Sequence, residues 1–494
     1  MSWTRLPRVS VVALAFAPLG ACAVVGPDFV RPQTNAPAGY LVPGEKPSSD
    51  GVALGHALPG DWWSRLGVPG LDAIVIEALL KSPTLAEADA ALDAALATRD
   101  MVYGGSGVSV DGQAGFERGR INSTSFGFSG FPSRTLSRYT TGVGVSYDLD
   151  LFGGAVREQE VANARVESEV FRREAARLTL ASEIASKVIE IAAANAEVTA
   201  AELIVADGRA TLRLVEQSIA AGAGGEIDRI RAQAQLAQDE AALPALRERH
   251  TLAQHALAIL SGNAPGASAS ASFDLGSMSP PAQVLIAIPS ELVHGRPDIL
   301  AAEAALHVAT AEIGVRTANL YPQIRLFAGL TQTALQPENL FSYSSSGWSF
   351  GPKVNLPLFR NGALKADVQR AEAEARRADA RYRATVLRAF GEVADAMASL
   401  ESAETELALQ QNARDLAEEA LRLERRNYEL GGGRLLDVLT AQRQASLARL
   451  SFVRATARRL RAIVRLCSAT AFSPDALRPV HVDVAAGTPG AAKP

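Results

Sequence analysis

The sequence predicts an α+β membrane protein made of long antiparallel helical hairpins and four β-strands per chain. Three observations lead to this fold class. The 494-residue chain is internally duplicated, each half contains long helical stretches with few glycines or prolines, and two segments alternate between apolar and polar residues. Alternation with a period of two is typical of β-strands, whereas glycine and proline usually mark the ends of helices.

The composition excludes several other classes of protein. Hydrophobic residues make up 48% of the chain and charged residues 21%, which is typical of an ordered protein. The net charge of −4 argues against a nucleic-acid partner, and two cysteines are too few for a disulfide scaffold or a multi-cysteine metal site. The mean hydropathy of +0.06 is too low for a bundle of membrane-spanning helices.

Residues 1–21 have the order of a secretory signal peptide, with two arginines, an apolar run over Val9–Leu19 and small residues before Cys22. This arrangement resembles a bacterial lipobox, which implies that the Cys22 thiol is acylated and begins the mature chain. Ala23 stands where an Asp would retain a lipoprotein in the inner membrane, so the resemblance implies sorting to the outer membrane. An uncleaved anchor is the alternative. With Cys22 acylated, Cys467 has no partner in the chain and is interpreted as a small apolar residue on a helix.

The duplication is clearest around two glycine-rich turns. Residues 218–233 match residues 427–442 at an offset of 209, and residues 149–152 match residues 356–359 at an offset of 207. The shared order and nearly constant offset indicate two structural repeats. The first repeat is assigned to 71–270 and the second to 286–471, with a linker at 271–285 in a region rich in Gly, Ser, Ala and Pro.

Each repeat is predicted to contain a helix, a β-hairpin, a long helix, a glycine-rich tip and a second long helix. In the first repeat these elements are a helix over Leu71–Asp100, strands around a loop over Arg118–Arg138, a long helix that includes Ala155–Asp207, a tip at Gly222–Gly225 and a helix over Glu226–Leu260. In the second repeat they are a helix from Pro297, strands between Gln323 and Phe359, a helix over Ala363–Leu430, a tip at Gly431–Gly433 and a helix over Arg434–Thr470.

Apolar residues occupy every second position over 143–151 and again over 348–358. One apolar and one polar face suit a membrane barrel with lipid outside and water inside, and they suit a half-buried soluble sheet equally well. Four strands cannot close a pore-sized barrel, and unpaired strand edges are not tolerated in lipid. The membrane interpretation therefore requires several chains, and three chains would supply twelve strands.

Several motifs together resemble the outer-membrane factors of tripartite efflux systems, the TolC-like superfamily, in its NodT-type lipoprotein branch. The motifs are Val25–Pro32 after Cys22, Ile288–Leu292, Arg296–Ile299, Ala301–Glu303, Ile313–Val315, Tyr321–Pro322, Gly347–Pro352 and Leu356–Phe359. The resemblance covers the chain from Cys22 to about Ala471. One departure concerns Thr440, which stands where many members have a second Asp.

The resemblance implies a trimer whose twelve-stranded β-barrel lies in the outer membrane and continues as a twelve-helix α-barrel in the periplasm. Residues 22–70, with the lipidated Cys22, would contribute to an equatorial region around the helices, and residues 472–494 would form a flexible tail. The implied partners are a periplasmic adaptor, an inner-membrane pump of the resistance-nodulation-division type and outer-membrane lipid. The covalent lipid would be the only cofactor-like group, and a duct for small molecules is implied, not an enzyme.

Two other functions remain open at the level of sequence. One is a related duct for type I protein secretion, which would be encoded beside an ABC exporter and not beside a large pump. The other is a structural coiled-coil lipoprotein without a pore, which would contain no β-structure.

The residues most informative for function follow the two tips. Asp228 and Asp437 occupy equivalent positions, and the resemblance places them at the periplasmic mouth, where threefold symmetry would bring six carboxylates toward one axis. Like charges at close range raise each other's pKa values or require pairing. We expect a periplasmic gate of Asp228, Arg231, Leu436, Asp437 and Thr440, with Arg231 pairing with Asp437 or Asp228 and Leu436 forming the constriction. The alternative is that both aspartates only stabilise helix starts.

The tips themselves are expected to contact the adaptor, although the same residues would suit turns without a partner. Their glycines are Gly222, Gly224, Gly225, Gly431, Gly432 and Gly433. A turn between two helices needs a positive φ, which glycine adopts most readily.

Two patterns elsewhere in the sequence partly match known catalytic or metal-binding motifs, but their spacing or context does not fit. Gly347–Gly351 fits Gly-x-Ser-x-Gly, but strand alternation continues past Ser349, so no strand-turn-helix elbow is predicted. His250 and His255 are five residues apart, which does not place them on one helix face. We predict no catalytic residue and no metal site.

Overall fold

A computed structural model of the chain describes residues 24–33, 39–40, 52–55, 58, 60–122, 134–222, 225–266, 272–280 and 284–472. The helices are α1 Leu71–Lys81, α2 Pro83–Gly105, α3 Gly154–Ala220, α4 Glu226–Leu260, α5 Pro289–Gly295, α6 Pro297–Ala318, α7 Ala363–Glu429 and α8 Leu435–Thr470. The strands are β1 Val52–Gly55, β2 Ser109–Ile121, β3 Arg134–Leu149, β4 Val284–Ala287, β5 Gln323–Ala334 and β6 Ser346–Asn355. Cys22 and Gly224 lie outside the described residues.

The predicted duplication is present in the structure. The order α2-β2-β3-α3-α4 recurs as α6-β5-β6-α7-α8. Helices α3 and α7 both contain 67 residues, and α4 and α8 contain 35 and 36. The bounds predicted for α4 are confirmed, and those predicted for α7 and α8 are within one residue. Within the described part of the chain, no helix combines the length and the apolarity needed to cross a membrane.

The helix predicted over Leu71–Asp100 is interrupted, and the prediction of one continuous helix was wrong. Helix α1 ends at Lys81, Ser82 has an extended ψ of 124°, and α2 begins at Pro83. Proline donates no amide hydrogen and disfavours helical backbone at the preceding residue, so the chain breaks there.

The loop predicted over Arg118–Arg138 is shorter than expected. Strand β2 continues to Ile121, which pairs with Arg134 at the start of β3. Residues 123–133 lie outside the described part. The stretch was mistaken for a loop because its side chains are polar, whereas a strand ladder is made by backbone groups.

The segment predicted as a linker is partly built into a hydrophobic core. Phe273, Leu275 and Met278 are buried. Asn195 of α3 donates to the Phe273 carbonyl at 3.4 Å, and the Ser279 N–H donates to the Gly67 carbonyl at 3.1 Å. These contacts join the region between the repeats to α3 and to the segment that precedes α1.

The chain divides into two compact units. The sheet unit comprises residues 1–32, 93–168 and 303–381, and the core unit comprises residues 33–92, 169–302 and 382–494. In the sheet unit, the four long strands form an antiparallel sheet in the order β2-β3-β5-β6. Trp348 and Phe350 stack with their centroids 5.8 Å apart and are 74% and 73% exposed. A half-buried soluble sheet would cover its apolar face, so this alternative is not supported.

The core unit is held together by small and branched apolar side chains from three long helices. Ile184 and Ile191 of α3, Leu400 of α7 and Ile463 and Leu466 of α8 are fully buried. The short strands β1 and β4 pair in parallel, with Val52 opposite Val284. Cys467 is buried here as the predicted small apolar residue, and burial raises the pKa of its thiol to about 12.

Candidate functional site at the hairpin tips

The two predicted tips are turns of the same construction in the core unit. Gly222 follows α3 with a φ of +77°, and Gly431 follows α7 with a φ of +78°. The Gly222 N–H donates to the Ile219 carbonyl at 2.9 Å, and the Gly431 N–H donates to the Tyr428 carbonyl at 3.0 Å. A Cβ added at either glycine would meet no atom within 4 Å. The left-handed backbone, and not a lack of space, therefore requires glycine at both positions.

The remaining tip glycines have different surroundings. Gly225 precedes α4 with an extended φ of −117°. A Cβ on Gly432 would lie 2.8 Å from Asn427 Oδ1, and one on Gly433 would lie 3.1 Å from the Tyr428 nitrogen. The second tip is thus closely packed against the end of α7.

The two aspartates stand at the same position of equivalent helices. Asp228 is the third residue of α4 and Asp437 the third residue of α8. Asp228 Oδ2 accepts a hydrogen bond from the Gly225 N–H at 3.3 Å. A carboxylate in the first turn also interacts favourably with the positive end of the helix dipole. Within one chain, Asp228 therefore stabilises a helix start, as the alternative interpretation holds.

Arg231 pairs with Asp228, one of the two partners expected for it, whereas Asp437 pairs with a different arginine. Asp437 accepts two hydrogen bonds from Arg434, both 3.1 Å long. These bonds hold the pKa of the Asp437 carboxyl below its usual range. Arg231 lies 3.9 Å from Asp228 within the same helix, which is an ion pair without a hydrogen bond. Arg434 was missed at the level of sequence, although its spacing of three residues before Asp437 is a recognisable helical pair.

Leu436 and Thr440 lie on the exposed side of α8. The Leu436 side chain is 53% exposed, whereas its neighbour Leu435 is buried. Thr440 Oγ1 donates to the Leu436 carbonyl at 2.8 Å. Leu436 is consequently free to contribute to a constriction, and Leu435 serves packing.

A small apolar cluster fixes the two tips beside each other. Val215 of α3, Ala232 of α4 and Leu435 of α8 are buried together, with Tyr428 of α7 packed against them. Because these side chains come from both hairpins, the structure brings the predicted gate residues of the two repeats into one region.

Polar contacts further along the helices join the same hairpins. Asp207 of α3 accepts from Arg425 of α7 at 3.3 Å and from Arg449 of α8 at 3.0 Å. Buried Thr211 donates to Gln442 Oε1 at 2.8 Å. Neither contact was predicted from the sequence, because such contacts depend on which faces of the helices pack against each other. A movement of one hairpin against the other would have to break these contacts.

We expect Gly431→Val to disturb the second tip while leaving the assembled protein intact. A side chain with a positive φ costs roughly 1–2 kcal/mol, and a β-branched one is strained further, so the tip would change its path. The measurement is the function of the chain in cells that depend on it, with its assembly determined in parallel. Gly391→Val in the middle of α7 is the matched control, because a Cβ there meets no atom within 4 Å. Normal function with Gly431→Val would refute a role of the tip in contacting a partner.

The Gly-x-Ser-x-Gly pattern lies within a strand. Ser349 lies in the middle of β6, opposite Gly329 of β5, so it is not on a strand-turn-helix elbow. Among the described residues, no group of three His, Cys, Asp or Glu side chains could hold a metal ion.

The chain is similar over most of its length to one family of known proteins. The profile of a family described as outer membrane efflux protein matches residues 74–263 and 288–471. Nodulation protein T of Rhizobium leguminosarum bv. trifolii is 28% identical over 470 residues, covering 92% of this chain and 96% of the relative. The pyoverdine export outer membrane protein OpmQ of Pseudomonas aeruginosa is 28% identical over 475 residues, covering 95% of this chain and 97% of the relative.

A solved structure extends the likeness to the fold. The outer-membrane channel OprN superposes with a TM-score of 0.83 at 27% identity, covering 91% of this chain and 99% of that channel. The predicted fold class, with duplicated helical hairpins and four long strands, is confirmed by this likeness and by the element order. The four-stranded sheet also contradicts the alternative of a coiled-coil lipoprotein without β-structure.

Proposed function

The chain belongs to the outer membrane efflux protein family, and we propose that it is the exit duct of a tripartite efflux system. It is an outer-membrane channel through which compounds leave the cell. In this system, small molecules reach the duct from an inner-membrane pump through a periplasmic adaptor. No bond is made or broken in the duct, so no catalytic residue is assigned.

The observation that carries the proposal is a sheet that a single chain leaves incomplete. Among the described residues, β2 and β6 are the outer strands of the sheet, and each pairs on one side only. In lipid, unpaired backbone groups cost several kcal/mol each, so both edges must find partners. The exposed apolar face argues that this sheet does lie in lipid. Three chains would join their edges into a wall of twelve strands.

Lipidation of Cys22 is part of the proposal. Val24, two residues later, lies beside the turn between β3 and α3, where a Cβ added to Gly153 would come within 2.7 Å of the Val24 Cα. The Val25 N–H donates to the Phe152 carbonyl at 3.1 Å. The described residues that follow Cys22 therefore lie beside the turn after β3, which supports a membrane anchor at Cys22.

We also propose that Asp228, Arg231, Leu436, Asp437 and Thr440 contribute to a periplasmic gate and that the tips contact the adaptor. The shared location of these residues beside the two tips supports the proposal. Substrate choice is assigned to the pump, since a wide duct makes few specific contacts. A neighbouring gene for a large pump would favour drug efflux, and one for an ABC exporter would favour type I protein secretion.

Light scattering of the detergent-extracted protein, corrected for bound detergent, tests the assembly. We expect about three times the chain mass, because the four strands of each chain must pair with strands of other chains before no strand edge is left unpaired in lipid. A monomer in mild detergent would show that the strands do not line a shared pore, and the duct proposal would then fail.

A further inference from the structure

The hairpin of β2 and β3 carries two arginines on the face of the sheet that is otherwise apolar. Successive side chains of a strand point to opposite faces, so the even-numbered residues of β2 share one face. The pairings across the sheet place one of them, Val110, in the same row as the exposed Phe350 of β6. Arg118 and Arg120 therefore lie on the face that is proposed to contact lipid.

Both arginines lie where β2 would leave the hydrocarbon of the membrane. They are the tenth and twelfth residues of the strand, and a tilted strand crosses a membrane in about 9–11 residues. This end of the hairpin is the one farther from the helices, since α2 precedes β2 and α3 follows β3. Immediately before the arginines, Phe116 of β2 packs on Tyr139 of β3 with ring centroids 4.9 Å apart. Such aromatic residues typically mark the edge of the apolar band of a barrel.

The two arginines have no acidic partner among the described residues. Both side chains are exposed, and neither forms an ion pair within that part of the chain. Residues 122–133, which connect β2 to β3, contain no Asp or Glu. On the opposite face of the same hairpin, by contrast, Arg138 of β3 pairs with Glu117 of β2. The hairpin therefore neutralises an arginine on one face and supplies no carboxylate to the arginines on the other.

Two hydroxyl groups lie beside the two guanidinium groups. Ser137 is opposite Arg118 in the strand pair, and Thr135 is opposite Arg120. Second neighbours along a strand are about 7 Å apart and opposite residues about 5 Å apart, so the four side chains share a small area. Guanidinium groups bind phosphate in a bidentate manner, and hydroxyl groups donate to the same oxygens. These donors next to an apolar surface suit a ligand that has both phosphate and acyl chains.

We propose that Arg118, Arg120, Ser137 and Thr135 form a binding site for the phosphate group of an outer-leaflet lipid, whose acyl chains lie on the apolar face beside Phe116. The inference rests on the proposed function, because it requires the sheet to lie in the outer membrane. Basic side chains at a membrane surface attract anionic headgroups. Each subunit would carry one site, so a trimer would carry three.

Glu338 of an adjacent subunit is the competing partner for these arginines. Strand β2 is an outer strand of the sheet, so assembly would place another chain beside it. Glu338 is the single acidic residue in the segment 335–345, which connects β5 to β6. One carboxylate cannot neutralise two guanidinium groups, so a positive charge would remain for the lipid even if Glu338 approached the site.

Native mass spectrometry of the purified full-length trimer, titrated with lipid A, tests the site. Dephosphorylated lipid A is the matched ligand, because it has the same acyl chains without the phosphate groups. We expect the wild-type trimer to bind lipid A at least about tenfold more tightly than the dephosphorylated form. Arg118→Gln combined with Arg120→Gln should abolish this preference. Arg134→Gln combined with Arg138→Gln is the matched control, since it removes two arginines from the opposite face of the same hairpin.

Four results would overturn the site. They are equal binding of the two lipids by the wild type, equal loss of the preference in both double variants, displacement of lipid A by inorganic phosphate, and binding of lipid A only after Glu338→Gln. Displacement by phosphate would indicate a site for free anions, and the last result would mean that Glu338 occupies the site. A monomer in the light-scattering measurement would refute the duct itself, whereas a trimer without a preference for lipid A would refute only this inference.

Discussion

Replacing Phe350 by arginine should abolish the membrane-inserted trimer, whereas the same replacement at the adjacent Ser349 should leave it intact. Phe350 lies near the middle of β6 on the exposed apolar face, and Ser349 points to the opposite face. An arginine that faces lipid near the midplane costs about 2–4 kcal/mol per chain, and the cost is paid by every subunit of the trimer. An arginine on the lumen side stays in water.

The measurement is the amount of heat-modifiable trimer in the outer-membrane fraction. The neighbouring residues form a matched pair, because they share strand, depth and backbone pairing and differ only in the face they occupy. Equal loss of trimer in Phe350→Arg and Ser349→Arg would mean that the sheet does not separate lipid from water. Normal assembly of Phe350→Arg would mean that its apolar face lies outside the membrane.

The helical part of the fold was predictable because its boundaries are set locally. Glycines with a positive φ end α3 and α7 at equivalent places, and the duplication provides each boundary twice. The break at Pro83 was overlooked because a long run of Ala, Glu and Leu around it favours helix on both sides. A single proline outweighed that propensity, since it removes an amide donor at one position.

The partners within the site were harder to predict than its location. The offset between repeats paired Asp228 with Asp437, and Arg231 was expected to pair with one or the other of them. In the structure, Asp437 instead binds Arg434, which occupies the position of Gly225 in the first repeat. The repeats therefore share backbone geometry but not charge pairing, and the replacement of Gly225 by Arg434 at the equivalent position is the sequence signal for this difference.

Replacing Asp437 by alanine should raise the leak conductance of the closed channel severalfold in bilayer recordings, provided that its carboxylate helps close the mouth. Threefold symmetry gives this change three copies around one axis. Glu419→Gln is the matched control, because Glu419 forms the same type of exposed intrahelical pair with Arg422 on α7, away from the tips. If the conductance of Asp437→Ala is unchanged, Asp437 only stabilises the start of α8 and does not help close the mouth.

The pH dependence of the leak conductance shows whether the Asp437 carboxylate helps close the mouth or only stabilises the start of α8. Hydrogen bonds from Arg434 lower the pKa of Asp437 below its ordinary value of 3.8, so the charged form persists in acid. Its contribution to closure is complete above the ordinary value and is lost as the pH falls through the lowered one. Arg434→Ala returns the pKa toward the ordinary value, and its leak should begin at a higher pH than in the wild type. A leak that begins at the same pH in both proteins would exclude the Asp437 carboxylate as the titrating group of the gate.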